Sequence, residues 1–136
     1  MIDVAYVALG SNLGDRAAYL ARARAAMAAL PDTELIAEST VDDTEPLGSV
    51  SQGRFLNQMV ALRTSLAPRV LLDHLQAIER AEGRVRDMRW GPRTLDLDIV
   101  QFEHQSVDEP GLRVPHPELP NRDFWQRELR ELRGAS

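Results

Sequence analysis

The 136-residue chain has no cysteine and no lysine, so all sixteen of its basic residues are arginines. Without cysteine there are no disulfides, thiolate metal ligands or thiol nucleophiles. Without lysine, the Walker-type phosphate loop and the strand lysine of protein kinases are both excluded. Any phosphate must then be held by arginine forks, backbone amides or a metal. No apolar run approaches the roughly 18 residues that a membrane-spanning helix needs. The opening Met1-Ile2-Asp3 enters a strand-like run with no basic region or small-residue cleavage site, and a cytoplasmic location is expected. A net charge of -5 lacks the basic face that replaces counterions on nucleic acid, so no nucleic-acid partner is expected.

What is present suits one domain around one core, expected over 1–136, with 43% apolar residues. Val4 to Leu9 predicts a buried strand that ends in the turn Gly10-Ser11-Asn12. Ser11 or Asn12 is placed to cap an alanine-rich helix from about Asp15 to Leu30, and Pro31 stops it. Glu34 to Thr44 alternates weakly. Phe55 to Thr64 alternates strongly, with Leu56, Val60 and Leu62 on one face and Asn57, Met59 and Ala61 on the other. A turn-rich loop over Glu45 to Gly53 lies between them. Ala67-Pro68 opens a helix that carries Leu71, Leu75 and Ile78 on one face and ends near Glu82, before Gly83. Thr94 to Phe102 predicts a strand. From Glu103 the chain is turn-rich until a polar helix starts near Pro120 or Asn121 and runs to about Arg133. Strand, helix, strand, strand, helix, strand predicts an α+β domain, ferredoxin-like, with helices flanking a mainly antiparallel sheet.

Chemistry gathers at the last of those strands. Asp96 and Asp98 are two apart, so both carboxylates leave the same face with Cα atoms about 6.5 Å apart. Like charges that close favour a bound cation, and two carboxylates completed by substrate phosphates suit magnesium. An isolated Asp-x-Asp is also explained by a solvated face paired to Arg93 or Arg86. Here, however, Arg84, Arg86, Arg89 and Arg93 immediately precede the pair, interleaved with Trp90, Gly91 and Pro92, as a metal-bound polyanion would require. His116 sits between two prolines, stiffly aimed. Gly10-Ser11-Asn12-Leu13-Gly14 lacks the spacing and the lysine of a phosphate loop and is read as structural. Phe55, Trp90, Phe124 and Trp125 lie near these segments, where aromatic faces can sandwich a flat heterocycle, although each taken alone suits a core.

Two stretches carry a resemblance. Ala8-Leu9-Gly10-Ser11-Asn12-Leu13-Gly14-Asp15 and Arg89-Trp90-Gly91-Pro92-Arg93-Thr94-Leu95-Asp96-Leu97-Asp98-Ile99 resemble the signatures of the 6-hydroxymethyl-7,8-dihydropterin pyrophosphokinase family. Asn57, Gly83-Arg84-Val85-Arg86, Val114-Pro115-His116-Pro117 and Asn121-Arg122 follow in family order, so the likeness covers about residues 1 to 124. It implies a ferredoxin-like fold that binds ATP with two magnesium ions and then the pterin alcohol; a monomer is the default expectation. The alcohol attacks the β-phosphorus and releases AMP.

By this resemblance Asp96 and Asp98 carry the metals, and Arg84, Arg93 and Asp98 form the catalytic set, with Asp98 the candidate base. Gln76, Arg84, Arg86, Arg93, Ile99, His116 and Arg122 contact ATP. Thr44, Leu47, Phe55, Asn57 and Phe124 hold the pterin, and Trp90 rides a closing loop. Phe55 stands where many relatives have tyrosine, and a shortened, polar C-terminus replaces the family's apolar continuation from Asp123 to Glu128. Competing readings are a relative that binds nucleotide or pterin without turnover, and an RNA-binding module using Arg84 to Arg93.

Overall fold

The computed structural model describes residues 1–45, 53–83 and 95–135. At its centre lies β1 (Asp3–Ser11), an apolar run without alternation, as suits a strand covered on both faces. It continues two residues past the predicted end at Leu9. Gly10 and Ser11 stay extended because Asn57 and Leu56 pair with them on one side, and Asp96 pairs with Gly10 on the other. Capping of α1 (Arg16–Ala28) therefore falls to Asp15, whose carboxylate accepts the Ala18 N–H at 3.1 Å. Ser11 is held in the strand, and Asn12 donates its amide to the Gly53 carbonyl at 3.1 Å.

The weakly alternating segment divides into β2 (Thr33–Glu38) and β3 (Asp42–Thr44), which lie along the same edge of β4 (Phe55–Thr64). Ser39 makes the break. Its N–H reaches the Met59 carbonyl at 2.9 Å, its hydroxyl accepts the Met59 N–H at 2.9 Å, and its carbonyl accepts the Gln58 amide at 2.7 Å. Helix α2 (Pro68–Ala81) matches the predicted span and leads towards β5 (Asp96–Phe102). Two three-residue strands, β6 (Val107–Glu109) and β7 (Leu112–Val114), form a hairpin in the stretch predicted as turns, too short for alternation to show. The Val114–Pro115 peptide bond is cis. A short 3-10 helix, Leu119–Asn121, precedes α3 (Asp123–Ala135).

The main sheet runs β2, β4, β1, β5, with β3 beside β2 on β4 and every neighbour antiparallel. With α1 and α2 as the crossings, this is the predicted ferredoxin-like α+β arrangement. Leu20, Ala23 and Met27 of α1 and Leu71 and Leu75 of α2 pack on one face, against Val7, Leu9, Val60, Leu62, Leu97 and Ile99. The other face, with Tyr6, Ala8, Met59, Ala61 and Val100, is covered by Trp125, Leu129 and Leu132 of α3. That helix is amphipathic rather than polar throughout: an i, i+4, i+7 stripe suffices when packing, not propensity, supplies the stability. Among the described residues no helix is long and apolar enough to cross a membrane.

Candidate active site

Register assembles the site. Residues directly opposite on neighbouring strands share a face. Asp42 pairs with Asn57, Asn57 with Gly10, and Gly10 with Asp96, so these four form one row across β3, β4, β1 and β5. Thr44 and Phe55 flank the row on one side, and on the other Ala8 pairs with Asp98. All of them share the α3 face of the sheet, because alternation along β5 sends Leu97 and Ile99 to the opposite core. Neighbouring strands lie about 4.8 Å apart, so Asn57 and Asp96 are separated by little more than the bare backbone of Gly10. A Cβ on Gly10 would come 3.2 Å from Asn57 Oδ1 and 3.5 Å from Phe55 Cδ1. The glycine read as structural from the sequence is thus the floor between the predicted pterin and metal positions.

At one end of this row Asn57 is buried and its amide donates to the Thr44 hydroxyl, which orients the side chain across β3 and β4. At the other end His116 follows the β7 hairpin. Its N–H donates to the Val100 carbonyl at 2.8 Å, and its Nδ1 accepts the Glu118 N–H at 3.0 Å. A neutral imidazole in that bonding carries its proton on Nε2, which faces Asp98 Oδ1 at 3.8 Å. Burial pushes the His116 pKa below its ordinary value and the Arg122 charge adds to this, against the opposing pull of Glu118 and Asp96.

Trp125 holds this corner. The His116 ring meets it edge-on at 4.9 Å, and the Arg122 guanidinium stacks over it at 4.2 Å. Arg122 Nε is buried with no hydrogen-bond partner among the described residues, a donor left for an anion. Phe124 is half-buried on the first turn of α3 and packs on the same face, its ring 6.3 Å from that of Trp125. Sequence reading noted Trp125 among the site aromatics. At 2% exposed it is a support for His116 and Arg122 and has no face left for a ligand.

Glu79 was missed. It is 3% exposed on α2 and its carboxylate accepts the Leu97 N–H at 2.8 Å, holding β5 at the residue between the two aspartates. Its signal was present in the sequence: a glutamate at the i+4 position after Leu71 and Leu75 on the buried stripe. Two predicted nucleotide contacts lie apart from the carboxylates. Gln76 is half-buried on α2, across the sheet, and the Ile99 side chain is 3% exposed in the core, leaving only its backbone for a ligand. Arg84, Arg86, Arg89, Trp90, Arg93 and Leu47 lie outside the described residues.

Asp96 and Asp98 suit a hard cation. Both are half-buried on one face, and no group of three or more metal-ligating side chains forms among the described residues. An ion held by two carboxylates and completed by substrate phosphates is the usual binding mode of magnesium.

The profile of the 7,8-dihydro-6-hydroxymethylpterin-pyrophosphokinase family matches residues 6–134. The chain belongs to this family. The 2-amino-4-hydroxy-6-hydroxymethyldihydropteridine pyrophosphokinase of Pseudomonas aeruginosa is 51% identical over 132 residues, 97% of this chain and 82% of that protein. Its Bacillus subtilis namesake is 42% identical over 97% of this chain and 79% of its own length. That of Pseudomonas putida is 49% identical over 82% of this chain and 92% of its own. The match extends to residue 134. Helix α3, where the chain departs from the resemblance seen in its sequence, therefore falls within the pyrophosphokinase family's span in all but its last residue.

Proposed function

We propose that this chain transfers diphosphate from ATP to the hydroxymethyl group of 6-hydroxymethyl-7,8-dihydropterin, releasing AMP, as a step of folate synthesis. The observation that carries this reading is the single row in which Asn57, Gly10 and Asp96 stand side by side, an amide for a heterocycle edge next to carboxylates for a metal–phosphate. Asp96 and Asp98 would hold magnesium, two ions in this reading, which when bound neutralises charge on the transferring phosphates.

The chain's own groups do the rest. Asn57 and Thr44, with Leu47, read the pterin edge, while Phe55 and Phe124 provide aromatic faces for its ring. Arg122, whose buried Nε has no partner among the described residues, takes a phosphate oxygen, as do Arg84, Arg86 and Arg93. His116 donates its Nε2 proton to an anionic oxygen, and its lowered pKa leaves the ring neutral, a hydrogen-bond donor rather than a fixed charge. Gln76 and the Ile99 backbone lie towards the nucleotide, and Trp90 rides the loop that closes over both substrates.

In the transfer the pterin oxygen bonds to the β-phosphorus, the bond from that phosphorus to the α–β bridging oxygen breaks, and its electron pair leaves with AMP. Asp98 is the candidate acceptor of the hydroxyl proton. Positioning and charge neutralisation, with no protein nucleophile, are what phosphoryl transfer demands. The proposed enzyme is a monomer acting on two small molecules in the cytoplasm.

The test is AMP release from ATP and magnesium with the pterin added or omitted. Pterin-dependent AMP is expected, and Asp98→Ala should lower it by about a thousandfold or more with the fold intact. A folded wild type that binds ATP but makes no AMP would instead identify a binding protein without turnover.

A further inference from the structure

Glu128 is the most deeply buried charged-type residue of α3, 1% exposed beside Trp125, Leu129 and Leu132. Neither of its carboxyl oxygens meets a hydrogen-bond donor among the described residues. It meets the carboxyl of Asp42, side chain to side chain. Asp42 Oδ2 is likewise buried without a donor, while Oδ1 takes the Arg127 guanidinium at 2.8 Å. Two carboxylates in such contact cannot both ionise, and one proton between them turns repulsion into a hydrogen bond. The position of Arg127 decides where that proton sits: Asp42 keeps the charge and Glu128 the proton.

The acid–base balance agrees with this geometry. Burial, then the hydrogen bond and charge of Asp42, raise the Glu128 pKa to about 9. Burial would raise Asp42 too, but its bonds to Glu128 and Arg127 outweigh this and hold it below its ordinary value. One turn further along α3, Glu131 accepts the Thr40 N–H at 3.0 Å and the Thr40 hydroxyl at 3.1 Å. Arg127, Glu128 and Glu131 therefore all grip the stretch from Thr40 to Asp42. Among the described residues the other elements against α3 bring no further charge to the pair, which feels only Arg127 and the like charge of Glu131 from α3 itself: β4 presents Asn57 opposite Asp42, and on β2 Glu38 pairs with Arg24 at 3.8 Å.

We propose that Glu128 is a positioning residue for the second substrate: its protonated carboxyl bonds Asp42 and so fixes strand β3, where Thr44 orients Asn57. This rests on the pterin reading of Asn57 and Thr44 above. Ionisation of Glu128 replaces the bond with two facing negative charges, and β3 has only three residues of ladder to resist them. Pterin affinity is therefore coupled to that proton, and ATP affinity is not.

The experiment measures KM for each substrate between pH 6.5 and about 10, one unit beyond the Glu128 pKa of about 9, beside hydrogen exchange at the amides of Asp42 to Thr44. It uses the full chain, Glu128→Gln, which keeps a donor for Asp42 and cannot ionise, and Glu128→Leu, which keeps neither property. In the wild type the pterin KM should rise about tenfold towards the alkaline end while the ATP KM stays level. Glu128→Gln should flatten that rise, since every other titration is retained, and Glu128→Leu should show the raised KM and fast β3 exchange at every pH. Identical pH profiles for wild type and Glu128→Gln overturn the proposal without needing the leucine variant to fold. So do equal shifts of both KM values. If the wild type makes no pterin-dependent AMP, the functional reading fails alone. Exchange at β3 then still decides the pair: alkaline loosening cured by Glu128→Gln upholds it, and unchanged exchange removes it.

Discussion

Gly10 contributes no side chain, and the site depends on that. The Asn57 amide lies on one side of it and the Asp96 carboxylate on the other, one strand away in each direction. Gly10→Ala would place a methyl 3.2 Å from Asn57 Oδ1, tight enough that Asn57 must turn and loosen its bond to Thr44. Pterin KM should rise about tenfold. The strand has the same backbone pairing with alanine, so stability should move by no more than about 1–2 kcal/mol. Steady-state kinetics with urea unfolding tests both halves, and an unchanged pterin KM would remove Gly10 from the floor of the site. Sequence reading assigned the Gly10-Ser11-Asn12 run to a turn because glycine and asparagine usually mark one. It had no access to the pairing with β4 and β5 that keeps Gly10 extended. Asp96 and Asp98 were legible because a period of two needs no partner strand to be read.

Among the elements, α3 carries the most function relative to what its sequence advertises. Its charged residues outnumber its apolar ones, and only Trp125, Leu129 and Leu132 mark the stripe that seals the second face of the sheet. Trp125 also serves as the platform for His116 and Arg122. Trp125→Ala removes a buried aromatic from a thin layer and should cost about 3–5 kcal/mol in urea unfolding. Trp125→Phe keeps a ring against His116 and should retain most of that stability, while weakening ATP binding by loss of the larger face under Arg122. If alanine cost less than about 1 kcal/mol, α3 would not be the cover described here. The helix was expected from the sequence, but its partners were not. Glu128 occupies the i+3 position after Trp125 on the buried stripe, the same kind of anomaly as Glu79 after Leu71 and Leu75. Each is a polar residue where the period calls for an apolar one, and each has a partner distant in sequence, Asp42 and the Leu97 N–H. Period alone shows such a misfit and cannot name the partner.

For the whole molecule, the carboxyls displaced from their ordinary pKa set opposing pH dependences. Asp3, Asp42 and Glu103 are held below their ordinary values, so their contribution is complete above the usual carboxylate range and is lost as pH falls through it. Asp3 shows how: burial opposes the shift, but hydrogen bonds from Val4, Gln105 and His104 outweigh it. Glu128 has the other sign. Its folded pKa of about 9 exceeds the ordinary 4.5, so between those values the unfolded chain gives up a proton that the native state keeps. Fewer protons on the unfolded state mean that stability falls as pH rises through this window. From pH 7 to about 9 the three lowered carboxyls are ionised in both states, so among the described residues Glu128 is the carboxyl that still tilts the curve. Urea midpoints should therefore drop steadily from neutral to alkaline pH in the wild type, and Glu128→Gln should abolish most of that slope while changing little near pH 4.5. A wild-type midpoint that stays level from pH 7 to 9 would mean that Glu128 is already ionised at neutral pH, and the contact between α3 and β3 would then need a cation in place of the proton.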